Sequence, residues 1–356
     1  MISRRKTRIV KVGTALIGGD APISVQSMTS TRTEDVEATI AQIQRLEQVG
    51  CELVRIAIPT KEAVKAIAKI KSQISIPLIA DIHFDYRLAI EAIEQGADKI
   101  RINPGNIGSK DRLEKILKVA KEHGVPIRIG VNAGSLQKSL IQKYNGITPE
   151  ALVESAMEHV RTCEEMGFFD LVLSIKASDV PMTIEANRML AKACDYPIHL
   201  GVTEAGTPKW GALRSAIGIG TLLAEGIGDT IRISLTGDPV DEIRAGFEIL
   251  KALHLRKKGI TVISCPTCGR LETNMIPIAE AVEQALADVE KPLTIAVMGC
   301  GVNGPGEARW ADLGVACGKH SALLFRKGQI IKKIKEEEIV STLIEEVRKW
   351  EEKNSS

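Results

Sequence analysis

The chain has 356 residues, of which 44% are hydrophobic and 26% charged, a composition typical of globular domains that excludes disorder, coiled coil and collagen-like repeats. Its formal net charge of +2 and its 3% aromatic content provide neither the positive field nor the stacking surfaces of a nucleic-acid-binding protein. No apolar run approaches the roughly 18 residues that span a bilayer, and no apolar stretch with a cleavage site opens the chain. We therefore expect a cytoplasmic protein with no membrane and no nucleic-acid partner.

The first part of the chain carries a repeated strand–helix pattern. Residues 1–8 are basic, and the alternation that begins by Ile9 predicts an edge strand rather than a transit peptide. Eight short apolar, β-branched segments then predict strands at 23–28, 52–58, 77–83, 99–103, 126–131, 170–176, 197–203 and 230–235. The amphipathic segments between them predict helices, which include 35–49, 60–72, 110–124, 149–166 and 239–253. Eight such units favour a closed (β/α)8 TIM barrel over an open doubly wound sheet.

A short basic segment at 254–259 predicts a linker between the barrel domain, residues 1–253, and a smaller α+β domain at 260–356. The predicted elements that open the second domain are two strands, each followed closely by a cysteine, and a helix between them, at 260–264, 293–298 and 277–286. The last segment, 336–353, is amphipathic and rich in charge and predicts a solvated terminal helix.

Basic side chains recur at the carboxyl ends of the predicted barrel strands, the face at which barrel enzymes bind their substrates. The strand ends that carry a cation, five of the eight, are those with Arg55, Arg101, Arg128, Lys176 and Arg232. Some of these arginines can pair with barrel acids, but only Asp81 and Glu204 oppose them at the strand ends. Like charges on one concave face repel until an anion binds, and guanidinium groups match phosphate oxygens bidentately. The pattern predicts a small ligand with two phosphate groups.

Two other residues at the strand ends have more than one interpretation. Glu204 either forms an ion pair with a neighbouring arginine or transfers a proton at the mouth of the barrel. His83 is more typical of a hydrogen-bonded structural histidine, and we expect it to contact a ligand at most.

The cysteines are the second chemical feature of the sequence. They lie at positions 51, 163, 194, 265, 268, 300 and 317, an odd and uneven set that does not predict a disulfide framework. Cys265 and Cys268 form a C-x-x-C turn, and Cys300 opens a glycine-rich loop. A structural zinc site, a thioredoxin-like dithiol and an iron–sulfur cluster all remain open, although the first two leave Cys300 without a clear role. Thiolate chemistry alone favours Cys317 as the fourth ligand of a cluster.

Short motifs in a fixed order give a resemblance that runs nearly from end to end. They are Val-Gln-Ser-Met-Thr-Ser-Thr near the start, Ala-Asp-Ile-His-Phe at 80–84, Arg-Ile-Asn-Pro-Gly-Asn at 101–106, Arg-Ile-Gly-Val-Asn at 128–132, Thr-Glu-Ala-Gly at 203–206, Cys-Pro-Thr-Cys-Gly-Arg at 265–270, and Val-Met-Gly-Cys at 297–300 followed by Asn-Gly-Pro-Gly-Glu-Ala. The chain resembles the 4-hydroxy-3-methylbut-2-enyl diphosphate synthases. Because no large insert separates its two domains, it is similar to the compact bacterial form rather than the plant form.

The resemblance implies an iron–sulfur oxidoreductase of the methylerythritol phosphate route to isoprenoids. Such an enzyme reductively opens and dehydroxylates 2-C-methyl-D-erythritol 2,4-cyclodiphosphate to (E)-4-hydroxy-3-methylbut-2-enyl diphosphate, with reduced flavodoxin or ferredoxin as electron donor. The implied fold is a TIM barrel followed by a domain that resembles a sulfite or nitrite reductase half-domain.

The resemblance also implies the residues of the site. A [4Fe-4S] cluster would be held by Cys265, Cys268, Cys300 and Glu307, where the carboxylate replaces Cys317 because a hard ligand binds a soft iron weakly and can leave it. Glu204 would donate a proton to the departing hydroxyl. The diphosphate would be bound by the five strand-end cations and by hydrogen bonds from Asn103, Asn132 and Ser234.

The expected course of the chain also predicts the assembly. The last barrel helix ends at the face opposite the site, and a linker of six residues spans at most about 20 Å. We therefore expect a homodimer in which each C-terminal domain caps the partner's barrel, so that two sites are shared between chains. An alternative of another class is a zinc-ribbon-bearing barrel lyase or a pterin-type transferase that acts on a phosphorylated small molecule.

Overall fold

The protein is described here by a computed structural model that covers residues 2–108, 110–300, 306 and 309–353. The chain forms two compact units, one up to Arg256 and one from Lys257 onward. Across these residues, none of the helices has the length and apolar character needed to cross a membrane.

The first unit contains a closed barrel of eight parallel strands. The barrel strands are β3 (Ser24–Met28), β4 (Leu53–Ala57), β5 (Leu78–Ile82), β6 (Lys99–Ile102), β7 (Ile127–Asn132), β8 (Leu171–Lys176), β9 (His199–Leu200) and β10 (Thr230–Ile231). Their order is β8-β7-β6-β5-β4-β3-β10-β9. A parallel bridge between Leu173 and Ile198 closes the ring. All eight predicted strands are confirmed, although the last two are shorter than the sequence indicated.

Helices surround the barrel and follow its strands. They are α1 (Val36–Gln48), α2 (Lys61–Lys71), α3 (Tyr86–Glu94), α4 (Pro104–Ile107), α5 (Lys110–His123), α6 (Lys138–Lys143), α7 (Pro149–Glu165), α8 (Val180–Ala193), α9 (Pro208–Ala224) and α10 (Pro239–Ala252). The side chains of Asp35, Thr60 and Thr148 accept hydrogen bonds from the first turns of α1, α2 and α7. These caps satisfy amide donors that have no partner inside the helix, which is why the helices begin where the sequence indicated.

The predicted N-terminal strand is present and forms the first strand of a hairpin. Its strands, β1 (Val10–Val12) and β2 (Ala15–Ile17), pair with each other in a separate two-stranded sheet. Val10, Val12 and Ile17 are buried against Leu53, Ile79 and Val172 of the barrel strands. The sequence did not indicate the hairpin, which covers these inward-facing apolar side chains of the barrel.

The second unit is built on a five-stranded mixed sheet. The strands are β11 (Ile260–Ser264), β12 (Leu293–Met298), β13 (Leu313–Gly318), β14 (Ser321–Arg326) and β15 (Gln329–Lys335), and they pair in chain order. The first three strands are parallel and the last two join antiparallel. Helix α11 (Met275–Ala285) follows β11, as predicted. The sequence analysis did not predict β13 to β15.

The terminal segment departs from the predicted solvated helix. Its helix α12 (Ile339–Lys353) follows a short 3-10 turn at Glu336–Glu338. Ile339, Leu343 and Val347 are fully buried in the core of the second unit. Their spacing of four residues places them on one face of the helix, so the predicted amphipathic helix is confirmed, but its apolar face packs into the core instead of being solvated.

Candidate active site

A polar pocket of about 120 Å³ opens at the carboxyl ends of the barrel strands. It is lined by Arg55, Asp81, His83, Arg101, Arg128, Asn132, Ser174, Lys176, Thr203, Arg232 and Ser234. The structure therefore brings together all five predicted cations and two of the three predicted hydrogen-bonding residues. A barrel places these side chains together because alternate residues of every strand point inward and all eight strands end at one face.

Two glycines leave space for the cations. Gly130 lies on β7 between Arg128 and Asn132, and a Cβ atom there would lie 2.6 Å from Nε of Arg101. A Cβ atom on Gly201 would lie 2.7 Å from Nζ of Lys176. Real Cβ atoms do not approach other atoms so closely, so a side chain at either position would displace a cation.

Asp81 is the acidic centre of the pocket. Its Oδ1 lies 3.1 Å from Nη1 of Arg101, and its Oδ2 lies 3.8 Å from Nε of Arg55 and 3.3 Å from Nε2 of His83. Burial alone would raise the pKa of Asp81, but the charge of Arg55 and the hydrogen bond from His83 outweigh it and hold that pKa below its ordinary value. Asp81 is an anion that pre-positions two arginines.

The second buried carboxylate is Glu242 of α10. Its Oε1 lies 3.1 Å from Nη2 of Arg232, and its Oε2 accepts a hydrogen bond of 2.7 Å from Oγ of Ser27. The expectation that only Asp81 and Glu204 oppose the cations is therefore wrong. The reason is geometric. Glu242 belongs to α10, outside the barrel sheet, and its side chain reaches Ser27 of β3 and Arg232 just after β10. Inspection of the strand ends alone does not find it.

Even so, cations outnumber anions in the pocket. Arg128 is fully buried and its Nη1 donates to Oε1 of Gln26 at 2.9 Å. Burial, then the charges of Arg55 and Arg101, lower the pKa of Arg128 well below its ordinary value. Burial also lowers the pKa of Arg55, to about 10, against the opposing effect of Asp81. The site is electrostatically prepared for a bound anion.

Two predicted residues do not line the pocket. Asn103 is buried, and its Nδ2 donates to Oγ of Ser135 at 2.9 Å. Glu204 is exposed in the loop after β9, with φ of 53° in the left-handed region. Within the described part of the chain no ion pair involves Glu204, and its role as a proton donor stays a prediction. A non-glycine residue in that region costs free energy and is typical of a functional turn.

Sequence reasoning did not assign four of the lining residues. The sequence predicts Asp81 only as a counter-charge and His83 at most as a ligand contact, and it gives no binding role to Ser174 or to Thr203. Ser174 lies two residues before Lys176 on the same face of β8, so strand periodicity was a usable signal for it. Thr203 lies beyond the end of β9 and had no comparable signal.

The three predicted cysteine ligands share a pocket of about 270 Å³ in the second unit. Cys265, Cys268 and Cys300 all line it. The backbone N–H of Gly299 donates to Sγ of Cys265 at 3.2 Å. A Cβ atom on Gly299 would lie 2.2 Å from Cδ2 of Leu271 and 2.6 Å from Cγ of Met275, so a side chain at this position would displace these two apolar neighbours. Backbone donors to thiolate sulfur are a feature of iron–sulfur sites.

The remaining candidates for the fourth ligand differ. Cys317 is buried on β13 with the core that faces α11 and α12, and burial raises its pKa to about 11, which disfavours the thiolate that a metal needs. Glu307 lies outside the described residues. Within the described ranges, no three His, Cys, Asp or Glu side chains are grouped to hold a single ion. A four-iron cluster takes one protein ligand per iron, and three thiols around one pocket fit that requirement.

The geometry defines a barrel protein with a cationic pocket, joined to a unit with a three-cysteine pocket. The sequence matches the GcpE TIM-barrel domain over residues 7–247 and the GcpE protein C-terminal domain over residues 261–349. This chain belongs to the GcpE family.

Named relatives are similar over nearly their whole length. The 4-hydroxy-3-methylbut-2-en-1-yl diphosphate synthase (flavodoxin) of Caldanaerobacter subterraneus is 58% identical over 98% of this chain and 99% of its own. The protein of the same name from Geobacter sulfurreducens is 57% identical over 97% and 98%. Among solved structures, the dihydropteroate synthase of Yersinia pestis is similar over 69% of this chain and 97% of its own, with 13% identity and a TM-score of 0.48.

Proposed function

We propose that this chain reductively opens 2-C-methyl-D-erythritol 2,4-cyclodiphosphate and removes a hydroxyl to give (E)-4-hydroxy-3-methylbut-2-enyl diphosphate. The observation that carries the proposal is the convergence of five cationic side chains on one barrel pocket, in a chain of the GcpE family. Two phosphate groups on a small ring supply the negative charge that this pocket lacks. Reduced flavodoxin, which is part of the relatives' name, or ferredoxin would deliver the electrons.

The pocket residues bind and orient the substrate. Arg55 and Arg101 are held by Asp81, and Arg232 by Glu242, so their guanidinium groups are fixed before the phosphates arrive and lose little freedom on binding. Asn132 and Ser234 add hydrogen bonds at the rim. Because Asn103 already donates to Ser135, its proposed contact with the substrate requires that bond to be exchanged.

The reaction consumes two electrons and a proton, and the hydroxyl leaves as water. We assign that proton to Glu204, which stands in the turn after β9 with its side chain exposed. Cys265, Cys268, Cys300 and Glu307 would hold the [4Fe-4S] cluster, which supplies single electrons when bound. Protein side chains do not readily supply single electrons, so the cluster would supply the electrons and the barrel pocket would bind the substrate.

Turnover under anaerobic conditions tests the proposal. The full chain, purified without oxygen, should be brown and should convert the cyclodiphosphate when reduced flavodoxin is added, with product measured by mass spectrometry. Cys300→Ser should lose both colour and turnover, because it removes a thiolate ligand. The matched control is Cys317→Ser, a buried cysteine of the same unit, which should keep both.

The alternative predicts the opposite result. A zinc-ribbon barrel that acts as a lyase or pterin-type transferase would be colourless, would contain stoichiometric zinc, and would not need an electron donor. Finding those three properties together would replace the proposed function.

We also propose the shared-site homodimer. The chain leaves the barrel unit at Arg256, whose Nη1 donates to the carbonyl of Ile23 at 2.9 Å and whose Nη2 lies 2.7 Å from Oε1 of Glu52. Ile23 and Glu52 immediately precede β3 and β4, so this exit lies at the amino-terminal face of the barrel, opposite the pocket. An exit on that side supports a cap that comes from a second chain.

A further inference from the structure

Beneath the pocket, a lysine and a histidine form a buried pair. Nζ of Lys176, the last residue of β8, lies 3.2 Å from Nε2 of His199 on β9. His199 is fully buried, and Lys176 is 7% exposed. On the other side of the ring, Nδ1 of His199 lies 3.5 Å from Oγ1 of Thr230. Both ring nitrogens of His199 therefore have a partner.

This contact constrains the protons of the pair. One hydrogen lies between the two nitrogens, so the other nitrogen must present a lone pair. If Nδ1–H donates to Thr230, then Nε2 accepts from the Lys176 amine. If Thr230 donates instead, Nε2–H must point at a Lys176 amine that is neutral. In the first arrangement the imidazole is neutral, and the Lys176 amine can gain a proton without breaking the contact. In the second arrangement the amine must be neutral for as long as the contact lasts.

The surroundings oppose that charge. The charged groups that act on Lys176 are Arg55, Arg101, Arg128 and Arg232. Asp81 and His83 line the same pocket, Glu242 of α10 pairs with Arg232, and the charge of Lys99 acts on His199. Arginine keeps its proton, so lysine is the residue that loses its proton when several cations are crowded together. Burial, followed by the charges of Arg128 and Arg55, lowers the pKa of Lys176 well below its ordinary value. Lys176 differs from Lys99 because only Lys176 lines the pocket.

We propose that Lys176 is a neutral amine in the ligand-free pocket, that it takes up one proton from solvent when an anion binds, and that His199 positions it by sharing a hydrogen bond. In chemical terms the amine R–NH2 gains H⁺ and becomes R–NH3⁺, which pairs with the anion. His199 is a positioning residue that acts through Lys176. The inference rests on the proposed function only in taking the natural anion to be the diphosphate of the substrate.

Proton uptake on anion binding is the direct test. Sulfate is the probe, because it carries no titratable proton near neutral pH. Calorimetric titration of the full chain at about pH 8, in two buffers of different ionisation enthalpy, measures the protons bound. An ordinary lysine is already charged at that pH and would take up none, whereas we expect about one proton per site. The Kd for sulfate should rise about tenfold per pH unit above that pH.

Variants separate the role of Lys176 from that of His199. Lys176→Met should still bind sulfate through the arginines but without proton uptake. His199→Phe should weaken sulfate binding by about tenfold, because Lys176 loses its hydrogen-bond partner. His199→Gln, whose Oε1 can accept in place of Nε2, should restore it. The matched control is His159→Gln, which alters another buried histidine, paired with Gln137 at 3.3 Å, outside the pocket.

The outcomes are distinct. Sulfate binding to the wild type with no proton uptake would show that Lys176 is already charged and would overturn the inference. Equal behaviour of His199→Phe and His199→Gln would overturn the role of His199. If proton uptake is found but the cyclodiphosphate is not converted, the inference stands and the proposed function fails.

Discussion

Polar side chains fill the interior of this barrel at a level where barrels ordinarily hold branched aliphatic residues. Gln26, Lys99, Arg128 and His199 are all at most 1% exposed. Nζ of Lys99, Nε2 of Gln26 and Nε of Arg128 have no hydrogen-bond partner in the part of the chain that the structure describes. Unpaired buried donors cost free energy. These unpaired donors therefore lower the stability of the barrel that carries the cationic pocket.

Lys99→Met tests that cost. Burial, then the charges of Arg128 and Arg55, lower the pKa of Lys99 well below its ordinary value. The unfolded chain therefore binds a proton that the folded chain does not, and stability rises with pH up to about 10. Methionine removes both the unpaired amine and this linkage, so the free energy of unfolding at neutral pH should rise by about 1–3 kcal/mol.

The measurement is urea unfolding at several pH values between neutral and about pH 10. Lys65→Met, at an exposed position of α2, is the control and should change little. A less stable Lys99→Met protein would show that the amine has a partner that matters for folding.

Gly130→Ala tests the space around Arg101. The new Cβ atom would lie 2.6 Å from Nε of Arg101, so the guanidinium must leave its place beside Asp81. Loss of one charge-assisted contact should weaken binding of inorganic pyrophosphate by about tenfold without unfolding the barrel. Gly134→Ala, where a Cβ atom would meet nothing within 4 Å, should bind as the wild type does. Equal affinities for the two variants would contradict the packing argument.

Elements outside the barrel sheet complete it. The hairpin of β1 and β2 covers the apolar side chains at one end, and Glu242 of α10 pairs with Arg232 of the pocket at the other. Neither role belongs to a βα unit as such. The first arises because the ring of strands leaves apolar side chains uncovered at one end of the barrel. The second arises because a helix beside the barrel can place a side chain against residues of the strands.

Ile17→Ala tests the hairpin as a cover. Ile17 is fully buried against the barrel strands, whereas its neighbour Leu16 is 50% exposed. Truncation of Ile17 leaves a cavity and should lower the free energy of unfolding by about 2–5 kcal/mol. Leu16→Ala removes similar apolar volume from the same strand but should have a much smaller effect. Thermal or urea unfolding of the two variants gives the comparison. Similar decreases in the free energy of unfolding would mean that the hairpin does not cover the apolar end of the barrel.

At the scale of the whole molecule, the proposed shared-site homodimer can be tested. The exit of the barrel unit at Arg256 lies on the face opposite the pocket. A site that combines the barrel of one chain with the cluster of another makes a clear prediction for mixed subunits.

Glu204→Gln chains and Cys300→Ser chains should each be inactive, yet a mixture should recover activity after subunit exchange. Half of the dimers would be mixed and each would have one intact site, so about a quarter of the wild-type rate is expected. A mixture of Glu204→Gln with Arg128→Ala chains is the control, because both barrels are then defective and no site is intact. If the first mixture stays inactive after exchange is verified, the shared-site proposal fails.

Local pattern was enough to predict much of this protein. The eight barrel strands follow from runs of β-branched residues, and the helix starts follow from capping residues such as Asp35 and Thr60. The five cations were predicted together because parallel strands of a barrel end at one face. The three cysteines were predicted by their spacing and motifs. Each of these features depends on residues that are close in sequence or on a rule of the fold.

Tertiary structure decided the rest. Ser27 and Glu242, which share a hydrogen bond, are 215 residues apart, and Gln26 and Arg128 are 102 apart. Three other features likewise depend on which surfaces meet after folding. They are the hairpin that covers one end of the barrel, the burial of α12 and the pairing of Lys176 with His199. Periodicity along the chain reports which face of an element is apolar, but not which partner covers it. For that reason the sequence determined the barrel strands, the starts of the helices and the positions of the cations and cysteines, whereas the tertiary structure decided which groups pair with those cations.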